Sequence, residues 1–123
     1  MRLDQESIKP IYVQIAEAIE DDIISGKLEE GSACYSQLVI ARELGVNPAT
    51  AGKGINHLVM NGILLKQRGQ AMTIVEGAKK MIVERKKKEE LGDVIHQLVD
   101  ITKKLGLKKE EVMTMLTEAY KEG

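Results

Sequence analysis

The segment Ala41-Arg42-Glu43-Leu44-Gly45-Val46-Asn47-Pro48-Ala49-Thr50 constrains this chain more than any other. Gly45 follows an apolar-periodic run and tolerates the left-handed backbone that ends a helix. Asn47 is a strong N-cap, and Pro48 fits the first helical position, where a missing N–H costs nothing. Two short helices joined by a tight, glycine-containing turn make a helix-turn-helix. That motif commonly lays its second helix in the major groove of duplex DNA.

The flanking residues extend the pattern. Pro10 to Ser25 reads as a first helix, with Ile11, Ile15, Ala18, Ile19 and Ile23 inward and Glu17, Glu20, Asp21 and Asp22 between them. Gly31 then lies in a polar connection. Ser36 to Leu44 reads as the second helix, capped by Ser36, with Ile40, Ala41 and Leu44 inward. Pro48 to Met60 reads as the third, with Ala51, Ile55, Leu58 and Val59 on its apolar face. Ile63–Lys66 and Met72–Val75 are β-type runs joined by the turn Gln67–Gln70, a small hairpin. From Ala78 to Leu105 the spacing predicts one long helix. It starts on a basic run, Lys79 to Lys88, and continues through Leu91, Val94, Ile95, Leu98, Ile101 and Leu105. Gly106 breaks it, and Lys108 to Lys121 predicts a last helix with Val112, Met113, Leu116, Ala119 and Tyr120 on one side. The expected fold is therefore mainly α with a small β-hairpin. A winged helix-turn-helix of residues 1–76 precedes a two-helix C-terminal dimerisation region, residues 77–123. Two amphipathic helices enclose no core alone, so their stripes need each other, the winged unit or a second copy. A homodimer is favoured, because such proteins read paired half-sites.

Composition narrows the function. With 123 residues, no Phe, no Trp and three Tyr, the core is aliphatic and stacking of single-stranded bases is not expected. Net charge is −1, yet residues 33–72 carry Arg42, Lys53, Lys66 and Arg68 against Glu43 alone. This local excess suits modest phosphate engagement with double-stranded DNA and a shallow salt slope. The basic run at 79–88 has three readings: a flank for DNA beyond the wing, a contact to an acidic patch such as Glu17, Glu20, Asp21 and Asp22 of a partner, or, favoured, a solvated helix face. Cys34, His57 and His96 share no metal-ligand spacing, and neither a P-loop nor a nucleophile elbow occurs. No enzyme activity, cofactor or metal is expected. Cys34 precedes a helix, but an idle buried thiol is favoured over a redox switch. No apolar run nears the roughly 18 residues that cross a membrane, and no signal sequence opens the chain. The expectation is a cytoplasmic protein without a membrane partner.

Sorting the third helix by face leaves Ala49, Thr50, Gly52, Lys53, Asn56 and His57 outermost. Lys53 suits guanine acceptors and Asn56 the edge of adenine. Thr50 suits a phosphate or a thymine methyl. Ser36 with its neighbouring amides, and the Tyr35 hydroxyl, are candidate phosphate contacts. Arg68, with Gln70 beside it, forms the candidate wing contact on backbone or minor groove. His57 reads more as surface than as a DNA contact. Gly52 and Gly54 each cost roughly 1 kcal/mol relative to Ala inside a helix. Gly54 is expected to let the second helix pack closely. Gly52 leaves two readings open, close approach of DNA or a loosened reading helix.

Five motifs occur in order over about residues 9–76: Pro10-Ile11-Tyr12-x-Gln14-Ile15-Ala16, Ile24-x-Gly26-x-Leu28-x-x-Gly31, Leu44-Gly45-Val46-Asn47-Pro48-x-Thr50, Leu58-x-x-x-Gly62-Ile63 and Arg68-Gly69. Together they resemble the winged helix of the GntR family, and the short tail is similar to its YtrA-like subgroup. The resemblance implies a dimeric bacterial repressor, often of transporter operons. It also implies a tail that dimerises and is too small for the large effector pocket of other branches. Nothing in the sequence identifies an effector. The chain departs from the family pattern at Cys34-Tyr35-Ser36-Gln37-Leu38, where the resemblance implies Leu-Pro-Ser-x-Arg. It departs again at Gly52, Gly54 and Ala71. These departures motivate an alternative, a protein-interaction module with weakened operator binding.

Overall fold

The computed structural model describes every residue from Met1 to Gly123 except Arg68 and Gln70. In chain order its elements are α1 (Ile11–Ile24), α2 (Gln37–Leu44), α3 (Pro48–Met60), β1 (Leu64–Leu65) and β2 (Thr73–Ile74). They are followed by α4 (Ala78–Lys86), a π-helical turn (Lys87–Leu91), α5 (Gly92–Lys104) and α6 (Lys109–Glu122). Two compact units result, Met1–Glu84 and Arg85–Gly123.

In the first unit, Ile15, Ile19 and Ile23 recur every fourth residue on α1 and are buried with Ile40, Ala51, Ile55, Leu58, Ile63 and Ile74. Ile11 departs from the expected stripe: it is 37% exposed, because it opens the helix beyond the edge of the core. Glu20 departs the other way and is buried, since it lies one turn beyond Ala16 and one before Ile23. Gly54 also needs correcting. A Cβ there would stand 2.8 Å from Ile15 Cγ2 and 3.0 Å from the Tyr12 carbonyl. It therefore lets α1, not α2, approach the third helix.

The hairpin pairs Leu64 with Ile74 and Leu65 with Thr73, antiparallel. The connection before α2 joins it through an Ala33–Thr73 bridge, with the Cys34 amide donating to the Met72 carbonyl at 2.7 Å. Ser, Ala and Gly carry no strand pattern, so this third line of pairing has no sequence signal.

Residue 76 is not where the compact unit stops. Ala78 and Ile82 have no exposed surface, which binds the start of α4 to the core. Glu30 adds a clip: its Oε1 accepts from the Gly77 amide at 2.7 Å and its Oε2 from the Lys79 amide at 3.0 Å. Those two backbone donors hold its carboxyl below the ordinary 4.5.

The helix expected from Ala78 to Leu105 forms as α4, the π turn and α5 in unbroken succession, ending at Lys104. At Gly92 the amide bonds the Lys87 carbonyl, five residues back, which makes the π turn. Gly106, at φ 71°, ends the last turn after α5, and Glu111 caps α6 by accepting from the Lys108 amide at 3.1 Å. No residue of α5 or α6 is buried. Ile95, Leu98 and Val99 with Val112, Met113 and Leu116 line an open, apolar groove of about 500 Å³. Among the described residues, no helix is long and apolar enough to cross a membrane.

Candidate nucleic-acid interface

Local capping chemistry builds the helix-turn-helix. Ser36 Oγ accepts from the Val39 amide at 3.1 Å and starts α2. Gly45, at φ 66° and ψ 34°, ends it with its amide on the Ala41 carbonyl. Asn47 Oδ1 accepts from the Ala49 amide at 2.8 Å, and Pro48 opens α3. Ala51, Ile55 and Leu58 point into the core, which turns Ala49, Lys53 and Asn56 outward and leaves Thr50 and His57 half-buried at the flank.

Two neighbourhoods border that outer face. On the α1 side, Lys53 Nζ lies 4.3 Å from the centroid of the Tyr12 ring. Tyr12 also meets His57 edge to face, with centroids 5.9 Å apart. A cation over an aromatic face is stabilised without losing its charge, so Tyr12 braces the Lys53 ammonium. On the hairpin side, Ser36, Gln37, Gly52, Asn56 and Lys66 border an open groove of about 390 Å³. Gln37 Nε2 donates to the Pro48 carbonyl at 2.7 Å across the turn.

The half-buried Tyr35 is engaged within the first unit. Its hydroxyl donates to Asp22 Oδ2 at 2.6 Å, and burial first, then that carboxylate, raises its pKa. Arg68 and Gln70, the candidate wing contacts, lie outside the described residues. The Cys34 thiol is buried and pushed up to about 11, chiefly by burial, so it is no thiolate at neutral pH. The acids of α1 are engaged within the first unit too, Glu17 by Lys9 at 2.8 Å and Asp22 by Tyr35. In the basic run, Arg85 and Lys86 stand 3.8 and 3.9 Å from Glu89 and Glu90, one turn on. Both are i,i+4 pairs, with Arg85 and Lys86 half-buried. Among the described residues, no group of His, Cys, Asp and Glu is arranged to hold a metal ion.

Tyr12, Gln37 and Glu30 are the residues the sequence did not single out. Tyr12 stands in a motif quoted above, but its place beside Lys53 depends on how α1 crosses α3. Gln37 follows a good N-cap and looks like ordinary helix surface.

The winged arrangement recurs in known proteins. No family model matches the chain. It is 34% identical over 108 residues to the uncharacterised HTH-type transcriptional regulator YhcF of Bacillus subtilis, covering 88% of each chain. It is 32% identical over 98 residues to the HTH-type transcriptional repressor YtrA of the same organism, covering 77% of this chain and 75% of that one. A GntR-family regulator from Bacteroides thetaiotaomicron superposes with a TM-score of 0.79 at 26% identity, over 92% of this chain and 98% of that one. The AraR DNA-binding domain, solved in complex with operator ORX1, matches 61% of this chain and 95% of its own at 25% identity, with a TM-score of 0.55. These relatives are transcription regulators, not enzymes. The chain belongs to the GntR family of winged helix-turn-helix transcription regulators, in its YtrA-like branch.

Proposed function

We propose that the chain is a dimeric repressor that binds a pseudo-palindromic operator. One observation carries this reading: an exposed reading face on α3 shares a chain with two helices whose apolar stripes bury nothing. Leaving that apolar surface in water is unfavourable, and a second copy with the same stripe is its natural cover. Two joined heads then present two α3 helices to successive major grooves about one helical turn apart. Lys53 and Asn56 supply base-edge chemistry, while Ala49 and Thr50 contact thymine methyl or backbone. Ser36 and the first amides of α2 face phosphate, and Arg68 with Gln70 supplies the wing. Occupancy beside a promoter blocks polymerase sterically. An effector would act by biasing the spacing of the heads.

The test is fluorescence anisotropy of the full chain with duplex from upstream of its own gene, at two salt concentrations, beside a scrambled duplex. Sedimentation of the same samples reads the oligomer. The expected result is a dimer binding the native duplex about 10³-fold more tightly than the scramble. Equal, salt-erased binding to both duplexes would reduce the head to a protein-interaction module.

A further inference from the structure

Gln37 is the first residue of α2 and is exposed, yet its side chain has a partner across the turn. Its Nε2 donates to the carbonyl of Pro48, the first residue of α3, at 2.7 Å. One turn further along α3, Gly52 faces the same amide. A Cβ at Gly52 would lie 3.0 Å from Gln37 Cδ and Oε1 and 3.1 Å from Nε2. Glycine weakens a helix interior relative to alanine, and Gly52 has no left-handed backbone to require it. The missing Cβ at Gly52 leaves room for the Gln37 amide.

We propose that Gln37 is a specificity-determining DNA contact that reads an adenine edge, its amide aimed by Pro48 and seated in the notch at Gly52. The inference rests on the reading that the outer face of α3 meets DNA. With one Nε2 hydrogen on Pro48, the amide keeps a second N–H and its Oε1 in one plane. That donor and acceptor match the N7 and N6 groups of adenine in the major groove. A phosphate offers acceptors only, so it would set like partial charges against Oε1. Asn56 and Lys66 border the same groove, so the amide stands among groups that complement DNA.

The experiment selects preferred sites from randomised duplexes with the full chain and titrates them against the parent, Gln37→Ala, Gly52→Ala and the double variant. The parent should prefer adenine at one position of each half-site. Gln37→Ala should lose roughly tenfold in preference at that position and keep the others. Gly52→Ala should raise the thermal midpoint, since alanine favours the helix, and still lose the same preference because its Cβ displaces the amide. Adding Gly52→Ala to Gln37→Ala should change binding no further. Identical preferences for parent and Gln37→Ala would overturn the assignment. So would a loss uniform across all sequences, which marks a phosphate contact, or parent-like binding by Gly52→Ala. A parent protein that selects no sequence would sink the DNA-facing reading itself, and this inference with it.

Discussion

The head and the tail are built from the same aliphatic residues at the same helical spacing, and they treat those residues oppositely. In the head, Ile15, Ile19, Ile40 and Ile74 have no exposed surface. In the tail, Val94 is 58%, Ile101 56% and Leu105 68% exposed. In the head, three helices, the hairpin and the start of α4 share one core, so each stripe meets an opposing layer. The tail offers only α5 and α6, with an apolar groove left open between them. Amphipathic spacing states that a face requires cover, but it does not state whether the cover lies in the same chain.

The largest test of this contrast is to charge the tail. Ile101→Asp combined with Leu105→Asp should abolish the dimer in sedimentation while leaving the circular dichroism of the head intact. Losing the tethered second head should weaken operator binding by about 10²- to 10⁴-fold. An unchanged dimer would show that another surface joins the copies. Next in size is a cavity in the head. Ile19→Ala, at a wholly buried position, should cost about 3 kcal/mol in denaturant unfolding, independent of protein concentration. A concentration-dependent loss would mean that head and tail are not separate cooperative units.

The smallest effect lies at the edge of the head, at Glu30. Its carboxyl sits below the ordinary 4.5 because the Gly77 and Lys79 amides bond its charged form. A carboxylate with a depressed folded-state pKa stabilises the protein above the unfolded value, and that contribution is lost as pH falls through the folded one. Glu30→Gln should therefore lower the thermal midpoint slightly at pH 7, and the gap to the parent should close as pH falls below about 4.5. A gap that does not change with pH would mean that charge plays no part in the clip.

Legibility in the sequence follows the range of the interactions. Ser36, Gly45, Asn47 and Pro48 act within four residues of themselves, so the helix-turn-helix could be placed to within a residue from local chemistry. The outward setting of Lys53 and Asn56 likewise follows from the helical period once the core face is known. Other features had no such signal. Glu30 acts on Gly77 and Lys79 across more than forty residues. Tyr12 reaches Lys53 only because Gly54 lets α1 close on α3. The Tyr35 hydroxyl meets Asp22, thirteen residues earlier, only through the fold.

The sequence by itself determined the order of elements, the turn that defines the reading helix, and the two stripes of the tail, because caps, turns and periodicity are properties of neighbouring residues. Only the tertiary structure decided that Glu20 is buried, that Gly54 serves α1, that Gln37 fills the space left at Gly52, and that α4 begins inside the head. Those outcomes depend on which distant segments share a volume, and a residue's own neighbours in the chain carry no record of that.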